Sequence, residues 1–327
     1  MSNPQHDAFA VAEALAAARF VLITSHRSPD GDALGSELAL WEMCRKLGKA
    51  AAVVNRDPHP ASLAFLPNLG EVRLAERVPP ELLEKADLVV FLECPGPDRP
   101  GFPELTKHRL ANVDHHLDNP LYGTVNFVDP EAPAVGEMLL EVADAAGVPL
   151  TPTMATCLYT ALVTDTGDFR YPNATPRAFA AAKRLVEAGA QPAAIAEALN
   201  DHIPARVVRL QALVLSTLEF AAGGKVAVMT CTSDMLAAAG AGPEDTEDMV
   251  NIPRAIEGVK VAVFFKAFAP GTVRVSLRSK GPLNVQKLAA AFGGGGHENA
   301  AGLTFHGTLS QAREAILPGV IALAESP

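Results

Sequence analysis

Residues 20–36 read FVLITSHRSPDGDALGS, and three structural signals follow one another within this segment. Phe20 to Ser25 is a run of apolar and β-branched residues, which predicts a buried strand. Leu34 to Leu47 has helical spacing, so a helix is expected after the strand. The loop between them carries one histidine and two aspartates. Open α/β sheets bind ligands at the carboxyl ends of their strands, so this loop predicts an α/β fold with a polar site.

The rest of the first half repeats the alternation of short apolar strands and helices. This pattern predicts a doubly wound, mostly parallel sheet with helices on both faces, in a domain of residues 1–190. Further strands are predicted at Ala50–Asn55, Asp87–Leu92 and Arg109–Val113. Further helices are predicted at Pro133–Gly147, Pro152–Thr164 and Thr175–Gly189.

The second half predicts a smaller α/β domain. Residues 191–220 are rich in Ala, Leu and Val and are interpreted as a helical connector. Residues 221–327 then form the second domain. Within it, Val259–Phe268 and Thr272–Arg278 flank a Pro-Gly pair, which indicates a hairpin.

Composition excludes several classes of protein. The chain has 327 residues with a formal net charge of −10, which argues against general coating of DNA or RNA. Its four cysteines are far apart in the sequence, which is typical of a reducing cytoplasm rather than a disulfide scaffold. We found no long uninterrupted apolar run, so no membrane span is expected. Residues 254–287 nevertheless hold seven basic groups and one acid, which indicates a local anion site or a solvated strand face.

Metal-ligand residue types recur at three predicted element ends. The first loop supplies His26, Asp30 and Asp32. His115 follows a strand and Asp165 ends a helix. Imidazole and carboxylate donors suit Mn²⁺, Mg²⁺ or Zn²⁺. Taken alone, the first group is more typical of a turn, the histidine pair is weak evidence and the third group is more typical of a helix end; only their combination favours a two-metal site.

The strings HRSPDGDALGS, VDHH and VTDTGDFR, in this order, resemble motifs I, III and IV of the DHH phosphoesterase superfamily. The string GGGGHENAAG at residues 293–302 resembles the signature of the DHHA1 domain. Together the motifs span residues 20–305, and they are most similar to the nano-RNase/pAp phosphatase branch. The resemblance implies a cytoplasmic enzyme with a DHH catalytic domain, a DHHA1 substrate domain and an active site in the interdomain cleft. It also implies short oligonucleotides or a nucleotide 3′,5′-bisphosphate as substrates, and a homodimer as one possible assembly.

The resemblance further implies two divalent cations, with Mn²⁺ expected and Mg²⁺ or Co²⁺ as alternatives. The implied metal ligands are His26, Asp30, Asp32, Glu93, His115 and Asp165. Glu93 departs from the family pattern, in which motif II supplies an aspartate that bridges the two metals. Glutamate is one methylene longer, so it can bridge only if the strand end lies further back.

Catalytic and substrate contacts are implied in both domains. His116 is expected to contact the scissile phosphate, with Asp114 orienting a histidine. The remaining implied substrate contacts are Arg99, Arg170, Arg278, Ser279, Gly294, Gly295, Gly296 and His297. For Arg99 and Arg170, pairing with a nearby carboxylate is the simpler alternative.

Two other functions remain open at this stage. One is a phosphodiesterase of cyclic di-AMP or pApA on the same scaffold. The other is a catalytically weakened nucleotide-binding regulator, which only the Glu93 departure favours. A family II pyrophosphatase and a RecJ-like exonuclease are disfavoured, because the glycine-rich C-terminal motif and the chain length do not match them.

Overall fold

The computed structural model describes residues 7–247 and 249–326. The chain divides into two compact units, Met1–His202 and Ile203–Pro327. Each unit contains a six-stranded sheet with its own hydrophobic core. The predicted α/β architecture is therefore confirmed.

Unit 1 contains a wholly parallel sheet with the strand order β3-β2-β1-β4-β5-β6. Its strands are β1 (Phe20–Thr24), β2 (Ala50–Asn55), β3 (Val72–Leu74), β4 (Leu88–Leu92), β5 (Leu110–Asp114) and β6 (Val125–Val128). The order reverses direction between β1 and β4. Two strands, β3 and β6, were not predicted, because they have only three and four residues and give no clear period-two pattern.

Helices cover both faces of this sheet. They are α1 (Ala8–Ala17), α2 (Gly31–Lys46), α3 (Pro80–Leu83), α4 (Val135–Ala145), α5 (Pro152–Asp165), α6 (Pro176–Glu187) and α7 (Pro192–Asn200). Successive strand residues face opposite sides, so Ile23 and Val90 pack into one core cluster while Leu22 and Val89 pack into another.

Two glycines allow helices α2 and α5 to pack unusually closely. A Cβ atom on Gly31 would lie 2.3 Å from Oγ1 of Thr164. One on Gly35 would lie 2.4 Å from the carbonyl oxygen of Cys157. Because these two positions have no side chain, the start of α2 can pack directly against α5. This packing brings the segment Asp30–Asp32 close to Asp165.

Unit 2 contains a mixed sheet with the order β11-β12-β10-β9-β8-β7, in which only β8 and β9 pair in parallel. Its strands are β7 (Glu219–Ala221), β8 (Val226–Thr232), β9 (Val261–Ala269), β10 (Thr272–Ser279), β11 (Gly295–His297) and β12 (Ala300–His306). Its helices are α8 (Ala205–Leu215), α9 (Ser233–Ala239), α10 (Asn251–Ala255), α11 (Val285–Ala291) and α12 (Leu309–Glu325). The predicted hairpin corresponds to β9 and β10.

The segment expected to be a connector is divided between the two units. Helix α7 buries Ile195 in the core of unit 1. Helix α8 buries Leu210 and Val214 in unit 2, and the segment ends in β7 rather than in a helix. Among the described residues, no helix has both the length and the apolar character needed to cross a bilayer.

Candidate metal centre

The predicted ligands gather at one edge of the parallel sheet, where the strand order reverses. His26 follows β1, Glu93 follows β4 directly, and His115 follows β5 directly. These three strands are neighbours and parallel, so their carboxyl ends meet at this edge. Asp165 is the last residue of α5, and Asp30 is the N-cap of α2.

Two overlapping sets of side chains form around Glu93. In each set, one ligand atom per residue lies within 4.8 Å of all the others. The first set is Asp32, Glu93, His115 and Asp165, and the second is His26, Asp30 and Glu93. All six predicted ligands therefore come together, and Glu93 is the residue that both sets share.

Backbone carbonyls orient both histidines toward the carboxylates. Nδ1 of His115 lies 3.1 Å from the carbonyl oxygen of Ala132, and Nδ1 of His26 lies 2.7 Å from that of Arg27. A carbonyl can only accept, so each Nδ1 donates and each neutral ring leaves a lone pair on Nε2. Nε2 of His26 is 3.4 Å from Oε2 of Glu93. A metal-binding histidine is held by this same arrangement.

Helix α2 and the start of α4 fix the two aspartates of the first loop. Oδ1 of Asp30 accepts hydrogen bonds from the backbone of residues 32 and 33 and so caps α2. Asp32 is 1% exposed and accepts hydrogen bonds from the backbone of Val135 and Gly136, at 2.7 and 2.8 Å. Both carboxylates are thus held in one orientation before any ligand binds.

The electrostatics of the cluster favour a cation. Burial, together with the charge of Asp165, raises the pKa of Asp32 to about 7. Burial and the surrounding aspartates raise the pKa of Glu93 well above its usual range. Burial also raises the pKa of Asp165. Packed carboxylates repel one another, and divalent cations relieve that repulsion with the hard oxygen donors that they prefer.

Glu93 carries two further signs of a binding role. Its Oε2 atom is buried without a hydrogen-bond partner. Its φ angle is +55°, a left-handed conformation that is rare outside glycine, asparagine and aspartate. The next carbonyl, that of Cys94, accepts hydrogen bonds from Asn119 and Tyr122, which hold the strained turn in place. A buried unpaired oxygen on a strained residue fits a metal ligand.

His116 lies beside the cluster and is oriented by Asp114. Its Nδ1 is 2.8 Å from Oδ1 of Asp114, which is fully buried at the end of β5. Asn119 donates to the second oxygen of Asp114 at 2.6 Å. The hydrogen bond to Asp114 raises the pKa of His116. The ring is 37% exposed, so its Nε2 edge is open to a ligand.

Residues 129–137, from the end of β6 into the first turn of α4, support the cluster from behind. They supply the carbonyl of Ala132 to His115 and the backbone N–H groups of Val135 and Gly136 to Asp32. This role was not predicted. The contribution to Asp32 is made by backbone atoms 103 and 104 residues away, so no local residue pattern reveals it.

Arg177 and Asn173 tie this segment to α6. Arg177 binds Asp129 and Glu137, one at each end of the segment, and the distance from Nε of Arg177 to Oε1 of Glu137 is 2.8 Å. Asn173 donates to the carbonyls of Pro133 and Asp165, both at 3.1 Å. Asn173 also donates to Oδ2 of Asp165 at 3.5 Å, so these two side chains help to position the proposed metal ligands.

Two of the predicted substrate contacts in unit 1 lie at the surface. Arg170 donates to Asp168 at 2.9 Å and to the carbonyl of Gly167 at 2.7 Å, so the simpler pairing alternative describes it. Arg99 is exposed and makes no ion pair with another described residue. It therefore remains available to a ligand.

Unit 2 places Arg278 on a basic face of its sheet. Arg278 and Arg274 alternate on β10 with buried apolar residues. Lys266 on β9 lies opposite Arg274 in the strand register, and burial, with the charges of Arg274 and Arg278, lowers its pKa. Lys266 and Arg274 were recognised only as part of the basic segment. A cavity of about 550 Å³ opens at this face beside Arg274 and Ser276.

Ser279 does not face this surface. It is 1% exposed, and its hydroxyl donates to the carbonyl of Leu283 at 2.5 Å and accepts from Asn299 at 2.9 Å. Its position on the opposite face of β10 from Arg278 explains the difference, because neighbouring strand residues point to opposite sides. The structure therefore gives its side chain a role in the turn after β10.

The end of the glycine run forms an edge strand. Gly295, Gly296 and His297 make up β11, which is exposed and pairs with β12. A Cβ atom on Gly294 would lie 2.3 Å from the carbonyl of Gly302. Gly294 lines the 550 Å³ cavity, so it lies near the basic face, whereas His297 is at the end of the hairpin.

Comparisons with known proteins agree with this architecture. Residues 20–162 match the model of the DHH family, N-terminal domain, and residues 223–324 match that of the DHHA1 domain. A bifunctional oligoribonuclease and PAP phosphatase, NrnA from Thermus thermophilus, is 38% identical, covering 92% of this chain and 89% of that protein.

Two further proteins are similar over nearly the whole chain. The crystal structure of an exopolyphosphatase-related protein from Bacteroides fragilis superposes with a TM-score of 0.83 at 26% identity, covering 98% of this chain and 97% of that one. A cyclic-di-AMP phosphodiesterase, GdpP from Geobacillus thermodenitrificans, is 24% identical over 93% of this chain but only 48% of its own length.

Proposed function

Because the chain belongs to the DHH/DHHA1 phosphoesterase family, in the branch of the bifunctional oligoribonucleases and PAP phosphatases, we propose that it hydrolyses short oligoribonucleotides and 3′-phosphoadenosine 5′-phosphate. The observation that carries this proposal is the gathering of six ligand-type side chains around Glu93 at the reversal point of the sheet. The identity of the Thermus thermophilus relative supports the choice of substrates.

The side chains that would hold divalent cations are His26, Asp30, Asp32, Glu93, His115 and Asp165. When bound, such cations neutralise phosphoryl charge and make a hydroxide nucleophile available near neutral pH. The donor set of two imidazoles and four carboxylates suits Mn²⁺ best, with Mg²⁺ and Co²⁺ as alternatives. Glu93 is proposed as the shared ligand, because it belongs to both sets and its Oε2 is buried without a hydrogen-bond partner among the described residues.

The protein's own groups bind and orient the substrate. Asp114 holds Nδ1 of His116, so the open Nε2 edge is aimed at a phosphoryl oxygen. In unit 2, Arg278, with Lys266 and Arg274 beside it, is proposed to bind a terminal phosphate. Gly294, Gly295, Gly296 and His297 are the remaining proposed substrate contacts, together with Arg99.

The proposed setting is the cytoplasm. All four cysteines are free and buried, which suits a reducing compartment. Assembly as a homodimer stays a prediction, and light scattering of the purified protein would test it.

Substitution of Arg278 by alanine tests the substrate side of the proposal. We expect the KM for 3′-phosphoadenosine 5′-phosphate to rise about tenfold or more, because one charge-assisted contact is lost. Affinity for Mn²⁺ should not change, since Arg278 is on unit 2 and none of the six proposed ligands is. An unchanged KM would remove Arg278 from the substrate site.

Cyclic di-AMP is the second candidate substrate, on the basis of the Geobacillus relative. That relative is less similar than the Thermus one, and this chain spans about half of its length. Comparing turnover of cyclic di-AMP with that of the dinucleotide pApA and of short RNA separates the two proposals.

A further inference from the structure

A cavity in unit 1 opens at the sheet edge where the proposed metal ligands lie. It lies where β2 and β3 end, and it has a volume of about 610 Å³. Charged side chains dominate its lining, which includes Arg56, Glu76, Arg77, Glu104 and Lys107. We call it the β2–β3 cavity. Its volume falls within the range of small-ligand sites.

A smaller cavity adjoins it. This cavity, of about 320 Å³, shares Gly101 and Pro103 with the β2–β3 cavity and is also lined by Arg27, the residue after His26. Strand β2 is the direct neighbour of β1, and strands lie about 5 Å apart. The two cavities therefore lie along one sheet edge, and the smaller one reaches Arg27, whose carbonyl holds Nδ1 of the proposed ligand His26.

Arg56 is held in the cavity wall, and no carboxylate in the described part of the chain pairs with it. Its NH1 donates to the carbonyls of Gly101 at 2.8 Å and Glu76 at 3.3 Å. Neutral carbonyls fix the guanidinium but do not neutralise its charge. An arginine held in this way is prepared to bind an anion, because little side-chain entropy remains to be lost.

The other cations of the two cavities are also unpaired. Among residues 7–247 and 249–326, no ion pair joins Arg27, Arg77 or Lys107 to a carboxylate. Gly101 makes room for this cluster: a Cβ atom there would lie 2.5 Å from Nε of Arg27 and 2.9 Å from Cδ of Arg56. Two guanidinium side chains thus flank one backbone position.

The lining also contains acids, which narrows the kind of ligand. Oε1 of Glu104 accepts a hydrogen bond from the backbone N–H of Val78, so this oxygen is partly occupied within the fold and is less free to bind a ligand. Glu76 and Asp98 are exposed in the two cavities. Cations beside carboxylates suit a ligand that carries both a phosphate and hydrogen-bond donors, as a nucleotide does.

We propose that the β2–β3 cavity and its smaller neighbour bind an additional nucleotide unit of an oligoribonucleotide substrate, beyond the two units at the scissile bond. Arg56, Arg77 and Lys107 bind the backbone phosphate, and Glu76 accepts from ribose hydroxyls or base amino groups. The inference rests on the proposed function and adds to it a preference for chains longer than a dinucleotide.

The double substitution Arg77→Gln/Lys107→Gln tests this inference in the full chain. Neither side chain makes a hydrogen bond or ion pair with another described residue, so the fold should tolerate the change. We expect the KM for a five-nucleotide RNA to rise about tenfold, which corresponds to about 1.4 kcal/mol. The KM values for a dinucleotide and for 3′-phosphoadenosine 5′-phosphate should stay within about twofold, because neither reaches the cavity.

A matched control is Lys46→Gln, an exposed cation at the far end of the sixteen-residue helix α2. It should leave all three KM values unchanged. Arg56→Gln is the second test variant, and it should affect the five-nucleotide RNA selectively as well. Equal KM changes for the dinucleotide and the longer RNA, or no change for either, would overturn the inference.

A binding measurement separates this inference from the proposed function. Calorimetry with the five-nucleotide RNA and metal-free protein needs no turnover. If the wild type hydrolyses none of the substrates, the proposed function fails. The inference is still supported if the double variant binds this RNA about tenfold more weakly than the wild type, and it is rejected if the two bind equally.

Discussion

Nε2 of His26 lies 3.4 Å from Oε2 of Glu93, although both atoms carry lone pairs when the imidazole is neutral. The carbonyl of Arg27 accepts a hydrogen bond from Nδ1–H of His26. The neutral ring therefore has no proton on Nε2 to donate to Glu93. The carboxylate oxygen has no other hydrogen-bond partner. Two facing acceptors are unfavourable unless a proton or a metal cation lies between them, and this relationship adds to the metal assignment that rests on the six gathered side chains.

Glu93→Gln should lower kcat/KM by about 100-fold or more, because an amide is a much poorer ligand for a hard cation than a carboxylate. Glu93→Asp should retain substantial activity. Aspartate tolerates the left-handed backbone at this position and keeps the charge, although its carboxylate is one methylene shorter. Steady-state kinetics with Mn²⁺ would show the difference.

Glu81→Gln, an exposed position on α3, is the matched control for the loss of one carboxylate. It should behave like the wild type. If Glu93→Gln is also fully active, Glu93 is not a ligand.

Arg177→Met should weaken Mn²⁺ binding by about 10- to 100-fold, the usual effect of removing a group that orients metal ligands. Arg177 holds both ends of the segment that orients His115 and Asp32. Calorimetric titration of metal-stripped protein measures the affinity without any turnover.

Arg184→Met on the same helix removes an exposed ion pair with Asp144 and serves as the control. It should leave the affinity for Mn²⁺ unchanged. Equal effects of the two substitutions would mean that Arg177 acts only through general stability.

Asp114→Asn should lower kcat by about 10- to 100-fold, because His116 loses the negatively charged acceptor that fixes its ring. In a His116→Gln background, Asp114→Asn should have little further effect on kcat, because the imidazole that Asp114 orients is already absent. Additive losses in this double-mutant cycle would show that Asp114 acts through some other group.

Mn²⁺ should raise the unfolding temperature of unit 1. At a concentration one hundred times its dissociation constant, a ligand stabilises the folded state by about 2.7 kcal/mol. For a unit of this size that corresponds to a shift of about 5–10 °C. Asp165→Asn should abolish most of the shift, and a full shift in this variant would remove Asp165 from the metal set.

Sequence predicted the parts of the site that are local in the chain. The loop with His26, Asp30 and Asp32 and the pair His115-His116 stand out because polar ligand types follow apolar strands. Glu93 was located only through the family pattern. A single acid after a strand has no distinctive spacing.

The supporting contacts could not be predicted in the same way. Arg177 reaches Glu137 across 40 residues, and Ala132 contributes a backbone carbonyl that any residue type could supply. The glycine run at residues 293–296 carries no strand signal. Pairing of β11 with β12, a tertiary contact, places Gly295 and Gly296 in a strand.

The most direct test of the account is a product assay with purified, metal-stripped protein before and after addition of Mn²⁺. The substrates are 3′-phosphoadenosine 5′-phosphate, a dinucleotide, a five-nucleotide RNA, a twenty-four-nucleotide RNA, pApA, cyclic di-AMP and pyrophosphate. The account predicts Mn²⁺-dependent turnover of the bisphosphate and the short RNAs, with slow cleavage of the longest RNA. Tight nucleotide binding without turnover of any substrate would contradict it, and would mean that the Glu93 centre has lost catalysis.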